Sequence, residues 1–362
     1  MIRVAVKNVY GDEMKPETST VPELLESGLC LQASLAQAGF EMRPFIDWAG
    51  TLPDVAVFFD CPRMDDPELR RCLAHGIPFI LAISENFHLQ PHATYQELKP
   101  LARKIMTYDL DEVDGQKVFW LPYSLDIKAG RQKRESALKQ ARPHLLGMVN
   151  SWKKSEMPGD LYRKRNRLAI QAGKILKGEM FLAGSGWDRH LVYSLKWQRS
   201  LAKRCPSLAR KLFQWPTSAY RGLLGFGEAK LQALATCEFA LVPENCSSLR
   251  GYITEKIFNA LFAGCIPIYQ GHPEANRWLP PETFVPMERF CSGAEMVEFL
   301  RAMTREEKEA YREAGTRFLE AGATEFFDVH KYVDVFRRHL ESTLPESKAR
   351  PVADFPRWST LI

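Results

Sequence analysis

Eight cysteines are spread over this 362-residue chain, and no two are spaced as CxxC or fall into a regular ladder. A disulfide framework is therefore not expected; Cys237 and Cys265, set among apolar residues, read as reduced thiols of a cytosolic protein. No apolar run is long enough to cross a bilayer. The opening residues MIRVAVKNVYGDEM lack the apolar core of a secretory signal and begin directly as a strand. The expectation is a cytoplasmic protein, soluble or at most peripheral on the inner face of a membrane. Internal repeats and low-complexity segments are lacking too, and the net charge of +5 is too mild to point to nucleic acid as a partner. One local absence is sharper. Between Arg189 and Gly227 there is no Asp or Glu, while Lys196, Arg199, Lys203, Arg204, Arg210 and Lys211 interleave with Leu195, Trp197, Leu201, Leu208, Leu212, Phe213 and Trp215. This basic amphipathic stretch, broken at Pro206, has two readings. It is an element docking on anionic lipid through residues 189–215, or a helical hairpin packed on its domain with a basic outer face.

What is present is an alternation of strand and helix signals. Ile2–Val6, Asp54–Phe59, Ile77–Ile83, Lys104–Tyr108 and Val118–Leu121 are short apolar runs of buried-strand character. Val21–Ala38 carries a helical stripe of Leu24, Leu25, Leu31 and Leu35, and a short polar helix is expected near Asp66–His75. A charged stretch, Lys128–Arg142, reads as a linker to a second alternation: strand Leu145–Val149, helix Leu161–Leu176, strand Met180–Ala183. Thr304 with Glu307 forms a capping box, and Glu325–Leu340 is an aromatic-rich packing helix. At this length two α/β domains with proper cores are expected. Their limits are 1–142 and 143–325, the second holding the basic insertion at about 187–222, followed by a C-terminal helix and tail over 326–362.

The densest segment is Phe239–Gly271, FALVPENCSSLRGYITEKIFNALFAGCIPIYQG. Phe239–Val242 is a buried-type strand stopped by Pro243. Thr254 N-caps a helix with Ile257, Phe258, Leu261 and Phe262 at helical spacing, Gly264 ends it, and Cys265–Tyr269 is the next strand. Such a unit offers backbone N–H groups and a positive helix end to a phosphate. Lys256, in the first turn, opposes the helix dipole; an anion that it must meet would explain it.

The segment ENCSSLRGYITEKIFNALFAGCIPIYQG resembles the signature of family-10 glycosyltransferases, the α-1,3/α-1,4-fucosyltransferases. Thinner likenesses lie at Ile83-Ser84-Glu85-Asn86-Phe87, Met106-Thr107-Tyr108-Asp109 with Trp120-Leu121-Pro122-Tyr123, and Arg165-Asn166. Pro243, Cys246 and Asn150-Ser151 depart from the family pattern, as does the insertion. The resemblance implies an α/β fold of GT-B type, two Rossmann-like domains facing a central cleft. It also implies an inverting transfer of L-fucose from GDP-β-L-fucose to a glycan hydroxyl. The linkage would be α-1,3, to a GlcNAc-type sugar of a cell-surface or lipid-linked glycan.

Roles follow from the chemistry such a transfer needs. Lys256 and the helix start at Thr254 would hold the diphosphate. Arg165, on the inner face of its helix with Leu161, Leu168 and Ala172, is the second phosphate candidate, against the rival of a generic basic face with Arg163, Lys164 and Arg167. Glu255 would accept from the ribose diol, and Asn245 and Tyr252 would shape the donor pocket, unless they only brace the loop. Glu85, just past the strand ending at Ile83, would be the general base. Asp109-Leu110-Asp111 is a DxD, a metal signature elsewhere, but cationic side chains already serve the diphosphate. No cofactor is expected beyond the donor substrate. The alternatives are a GT-B enzyme using another nucleotide sugar, or a non-catalytic nucleotide- or glycan-binding protein of the same fold.

Overall fold

A computed structural model of the chain describes residues 1–8, 22–84, 92–187 and 227–344, with isolated positions between 197 and 224. It separates into two units, Met1–Ser124 with Phe327–Ile362, and Leu125–Phe326. The first dividing point thus falls at Ser124, where 142 was expected; the second, Phe326, lies within a residue of the expected 325, and the C-terminal helix groups with the first unit.

The first unit holds strands β1 (Ile2–Asn8), β2 (Phe40–Pro44), β3 (Val55–Phe59), β4 (Phe79–Ile83), β5 (Lys104–Thr107) and β6 (Val118–Trp120). They form one sheet in the order β2-β1-β3-β4-β5-β6, every pair parallel. A parallel sheet covered on both faces wants continuous apolar strands, and every residue of β4 is buried. The helices are α1 (Pro22–Gln37), α2 (Pro67–His75), α3 (His92–Leu101) and, from the far end of the chain, α10 (Val329–Glu341). Asp66 caps α2, accepting from the N–H groups of Glu68 at 3.0 Å and Leu69 at 3.2 Å. Gly76 closes α2 at φ +63°, a left-handed turn that favours glycine.

The second unit carries β7 (His144–Val149), β8 (Met180–Ala183), β9 (Cys237–Leu241), β10 (Ile266–Tyr269) and β11 (Val285–Pro286) in the order β11-β10-β9-β7-β8, again all parallel. Its helices are α4 (Ile127–Ala137), α5 (Tyr162–Leu176), α6 (Glu228–Ala235), α7 (Glu255–Phe262), α8 (Gly293–Ala302) and α9 (Arg305–Glu320). The core runs from Leu146 and Met148 through Leu168, Phe239 and Ile268 to Phe290 and Leu300.

The stretch expected to be a linker is helix α4. Asp126 caps it, accepting from the Ala129 N–H at 2.7 Å, and Gly130 packs so closely on Phe262 that a methyl group there would meet the ring at 2.3 Å. Arg134 is buried and donates to the Leu261 carbonyl, to the Arg312 carbonyl at 2.5 Å and to Thr316 Oγ1 at 3.0 Å. Its charge serves helix carbonyls, and burial draws its pKa down to about 10. The capping box at Thr304 and Glu307 is present as expected.

Candidate functional site

In the second unit the chain forms β7, steps to β8 on one side, then crosses to β9 on the other side of β7. The carboxyl ends of β7 and β9 therefore mark the point where strand order reverses, and crevices of open α/β sheets form there. The loops leaving both ends carry the residues singled out in the sequence. Beyond β9, Val242 and Glu244 continue the pairing with β10, their N–H groups donating to Ile268 O at 3.0 Å and Gln270 O at 2.9 Å. The same loop is stitched to the start of α5: Leu161 N–H donates to Asn245 O at 3.1 Å, and Ser247 N–H to Gly159 O at 2.9 Å.

Arg165, one turn into α5, is 2 % exposed, whereas Arg163 and Arg167 point to solvent. Its Nη2 donates to Ser151 O, just past β7, at 2.8 Å, and the guanidinium lies 4.8 Å from the Tyr162 ring centroid. Its Nε is buried without a hydrogen-bond partner. Burial pulls its pKa down to about 10, against the pull of Tyr162 and Asp160. A desolvated arginine with an idle donor is set apart from the basic face of its helix.

At α7 the structure changes the sequence reading. Thr254 occupies the N-cap position, but its hydroxyl makes no cap. Instead Thr254 donates from N–H to Glu244 Oε1 at 2.8 Å and from its hydroxyl to Glu244 Oε2 at 2.7 Å. Lys256 Nζ donates to Glu244 Oε2 at 3.1 Å and to Thr254 Oγ1 at 2.8 Å, and lies 5.8 Å from the Tyr252 ring centroid. The Tyr269 hydroxyl completes the cluster, donating to Glu244 Oε1 at 3.3 Å. Burial, reinforced by Glu244, pushes the Tyr269 phenol well above its ordinary pKa. The anion that accounts for a lysine in the first turn is thus Glu244, fully buried and supplied by the protein itself.

Glu255 meets Lys230 of α6 at 3.4 Å, while Thr254 and Lys256 also act on its carboxyl. Burial alone would raise its carboxyl, but Lys256 and Lys230 outweigh it and hold the pKa at about 2. Asn245 donates from Nδ2 to the Tyr252 hydroxyl at 3.0 Å, so these two brace each other. Thus Thr254, Lys256, Tyr252 and Asn245 share one loop-and-helix unit, which is tied to the helix bearing Arg165. Glu244, Lys230 and Tyr269 were not singled out by the sequence. The signal available was an acidic residue just past the apolar run Phe239–Val242 and its Pro243, where a buried charge demands a partner.

Glu85 lies outside the described residues. Its neighbour Ser84 closes β4, donating from N–H to Asp60 Oδ1 at 2.8 Å and from its hydroxyl to Asp60 Oδ2 at 2.9 Å. Most of the basic stretch 189–215 lies outside them too. Asp109 of the DxD is buried and accepts from the Asp111 N–H at 3.1 Å, a local turn. Among the described residues no three His, Cys, Asp or Glu gather as a metal site, and no helix is long and apolar enough to cross a membrane.

Residues 225–314 match the family model described as glycosyltransferase family 10 (fucosyltransferase), C-terminal part. The mouse 4-galactosyl-N-acetylglucosaminide 3-alpha-L-fucosyltransferase 9 is 34% identical over 80 residues, which are 22% of this chain and 22% of that protein. The chain thus matches about a fifth of that relative's length. The crystal structure of an alpha1,3-fucosyltransferase with GDP superposes with a TM-score of 0.52 at 17% identity, covering 94% of this chain and 90% of that one. An alpha-glucosyltransferase in complex with UDP and a DNA 13-mer gives a TM-score of 0.56 at 11% identity, covering 95% and 100%. At such identities the likeness is one of fold, α/β of GT-B type with two Rossmann-like units. The family match covers β9, α7 and β10, the elements that build the Glu244 cluster.

Proposed function

We propose that this chain is an inverting, metal-independent fucosyltransferase that takes L-fucose from GDP-β-L-fucose to a hydroxyl of a glycan. The acceptor is a GlcNAc-type sugar of a cell-surface or lipid-linked glycan, joined α-1,3. The observation that carries the reading is the placing of the family-matched segment at the strand-order reversal, with buried cations on both flanking helices. The first-turn amides of α7, which lack a side-chain cap, together with Lys256 and the idle Nε of Arg165, suit a diphosphate. Glu255 and Asn245 suit the ribose and the donor pocket. In the reaction the acceptor oxygen attacks the anomeric carbon of fucose from the face opposite the leaving group. Glu85 takes the hydroxyl proton, and the electron pair of the breaking C–O bond stays on the β-phosphate of GDP, where Arg165 and Lys256 balance it. We place the protein in the cytoplasm, its basic stretch 189–215 meeting anionic lipid at the inner face of the membrane.

Incubation with GDP-fucose, GDP-mannose and UDP-sugars tests the reading. GDP-fucose turnover is expected to exceed the others by about tenfold or more, undiminished in EDTA. Glu85→Gln is expected to lower kcat by about 10²–10⁴-fold. Equal turnover of a UDP-sugar would move the assignment to another donor. GDP binding without turnover of any donor would favour a binding protein.

A further inference from the structure

Glu244 has no role in the transfer as just described, yet it is the fully buried centre of the α7 cluster. A carboxylate in such a place is strongly destabilising unless its oxygens are occupied by donors. Here Oε1 accepts from Thr254 N–H and Tyr269 Oη, and Oε2 from Thr254 Oγ1 and Lys256 Nζ. The Thr254 hydroxyl donates to Glu244 and accepts from Lys256, so carboxylate, hydroxyl and ammonium close a triangle of 2.7, 2.8 and 3.1 Å. A lysine is a point charge on a flexible four-carbon stem, with no planar fork to fix its direction. Left alone in the first turn of a helix, its ammonium would also be repelled by the positive helix end. The triangle removes both freedoms, since it offsets the repulsion and fixes Nζ on Glu244 Oε2 and Thr254 Oγ1 at the start of α7.

Resting on the fucosyltransferase reading, we propose that Glu244 is a positioning residue, the internal counter-ion that holds the Lys256 ammonium where the donor diphosphate arrives. The neighbouring pair, Lys230 with Glu255, does the reciprocal work for the ribose-facing carboxylate. The two pairs run in opposite senses on adjacent α7 positions, so α7 presents an anchored anion and an anchored cation side by side.

A double-mutant cycle on GDP affinity, measured by titration calorimetry, tests this. Glu244→Gln keeps the shape but removes the charge, and its NH2 sets a donor against either the Thr254 N–H and Tyr269 hydroxyl or the Thr254 hydroxyl and Lys256 ammonium. It is expected to weaken GDP about tenfold and to leave guanosine, competed against GDP, within about twofold, because the loss falls on the diphosphate. In a Lys256→Gln background the same change is expected to cost less than about twofold; this non-additivity is the signature of action through the lysine. Equal losses for GDP and guanosine, or additive losses in the cycle, would overturn the proposal in favour of a purely structural carboxylate. Should Glu244→Gln fail to fold, Glu244→Asp carries the test, since it keeps the charge but withdraws it by one methylene. About threefold weaker GDP with unchanged guanosine supports positioning, and GDP binding equal to the parent overturns it. A parent chain that does not bind GDP at all refutes the fucosyltransferase reading itself, whatever the variants do.

Discussion

Arg165, Lys230 and Lys256 are three buried or nearly buried cations, and each has a different reason to be there. Lys230 exists in its place because Glu255 does. Glu255 is held at about 2, below the 4.5 of an unstructured glutamate, by Lys256 first and Lys230 second, so the two lysines together add stability that is complete above about 4.5 and fades as pH falls toward about 2. Glu255→Gln leaves Lys230 without that anion and is expected to cost about 2 kcal/mol, under the ~3–5 of a fully enclosed pair. Adding Lys230→Met should recover only the part owed to Lys230, since Lys256 is the stronger partner of the Glu255 carboxylate. Thermal melts should show the gap between parent and Glu255→Gln closing as pH drops from about 4.5 to about 2, which a loss of mere packing would not do. Arg165 differs because its guanidinium donates to Ser151 O through Nη2 while its buried Nε has no hydrogen-bond partner. A lysine keeps the charge but cannot divide it that way. Arg165→Lys is expected to weaken GDP about tenfold, or ~1.4 kcal/mol, by calorimetry, with little change in melting temperature.

Elements are legible in a sequence when one face must be apolar and the ends carry a cap. β3 and β4 were legible because both faces are buried, and α9 because Thr304 and Glu307 form a reciprocal cap. The charge-rich α4 was not. Its sequence, IKAGRQKRESA, reads as solvated, because the residue that anchors it is a buried arginine bonded to carbonyls of two distant helices. Charge is a cue for exposure only until a tertiary acceptor exists. The same limit applies to the site. Helix start, lysine and glutamate were visible as residue types, but spacing could not tell whether Lys256 awaited a ligand or already had Glu244. The α4–α7 contact gives this account a direct check. Gly130→Ala drives a methyl into Phe262 and is expected to cost about 1–3 kcal/mol in urea unfolding. Glycine's ordinary penalty inside a helix would by itself make the alanine stabilising by about 0.5–1 kcal/mol, so the sign of the change decides whether packing or propensity governs α4.

On the scale of the whole molecule the chain leaves its first unit at Ser124 and returns to it only at Phe327. The returning helix α10 is a structural member of that unit. Val333, Phe336 and Leu340 sit in one core with Val4, Val6, Val57 and Met106, and the Phe336 ring stacks on Phe59 at 6.1 Å. Covering one face of a parallel sheet with a helix from the far end means that the first unit is not complete until residues 125–326 of the second have been made. Phe336→Ala removes a fully buried ring and is expected to cost about 3–5 kcal/mol. Its position in sequence would assign that loss to the C-terminal half; the packing assigns it to β1, β3 and β4. Hydrogen exchange distinguishes the two. Amides of β1, β3 and β4 should lose protection by that amount, while β7, β9 and β10, whose core includes none of these side chains, should keep theirs. Equal loss in both sheets would mean that the two units unfold as one cooperative body, and the proposed donor site in the second unit would then depend on α10 for its stability.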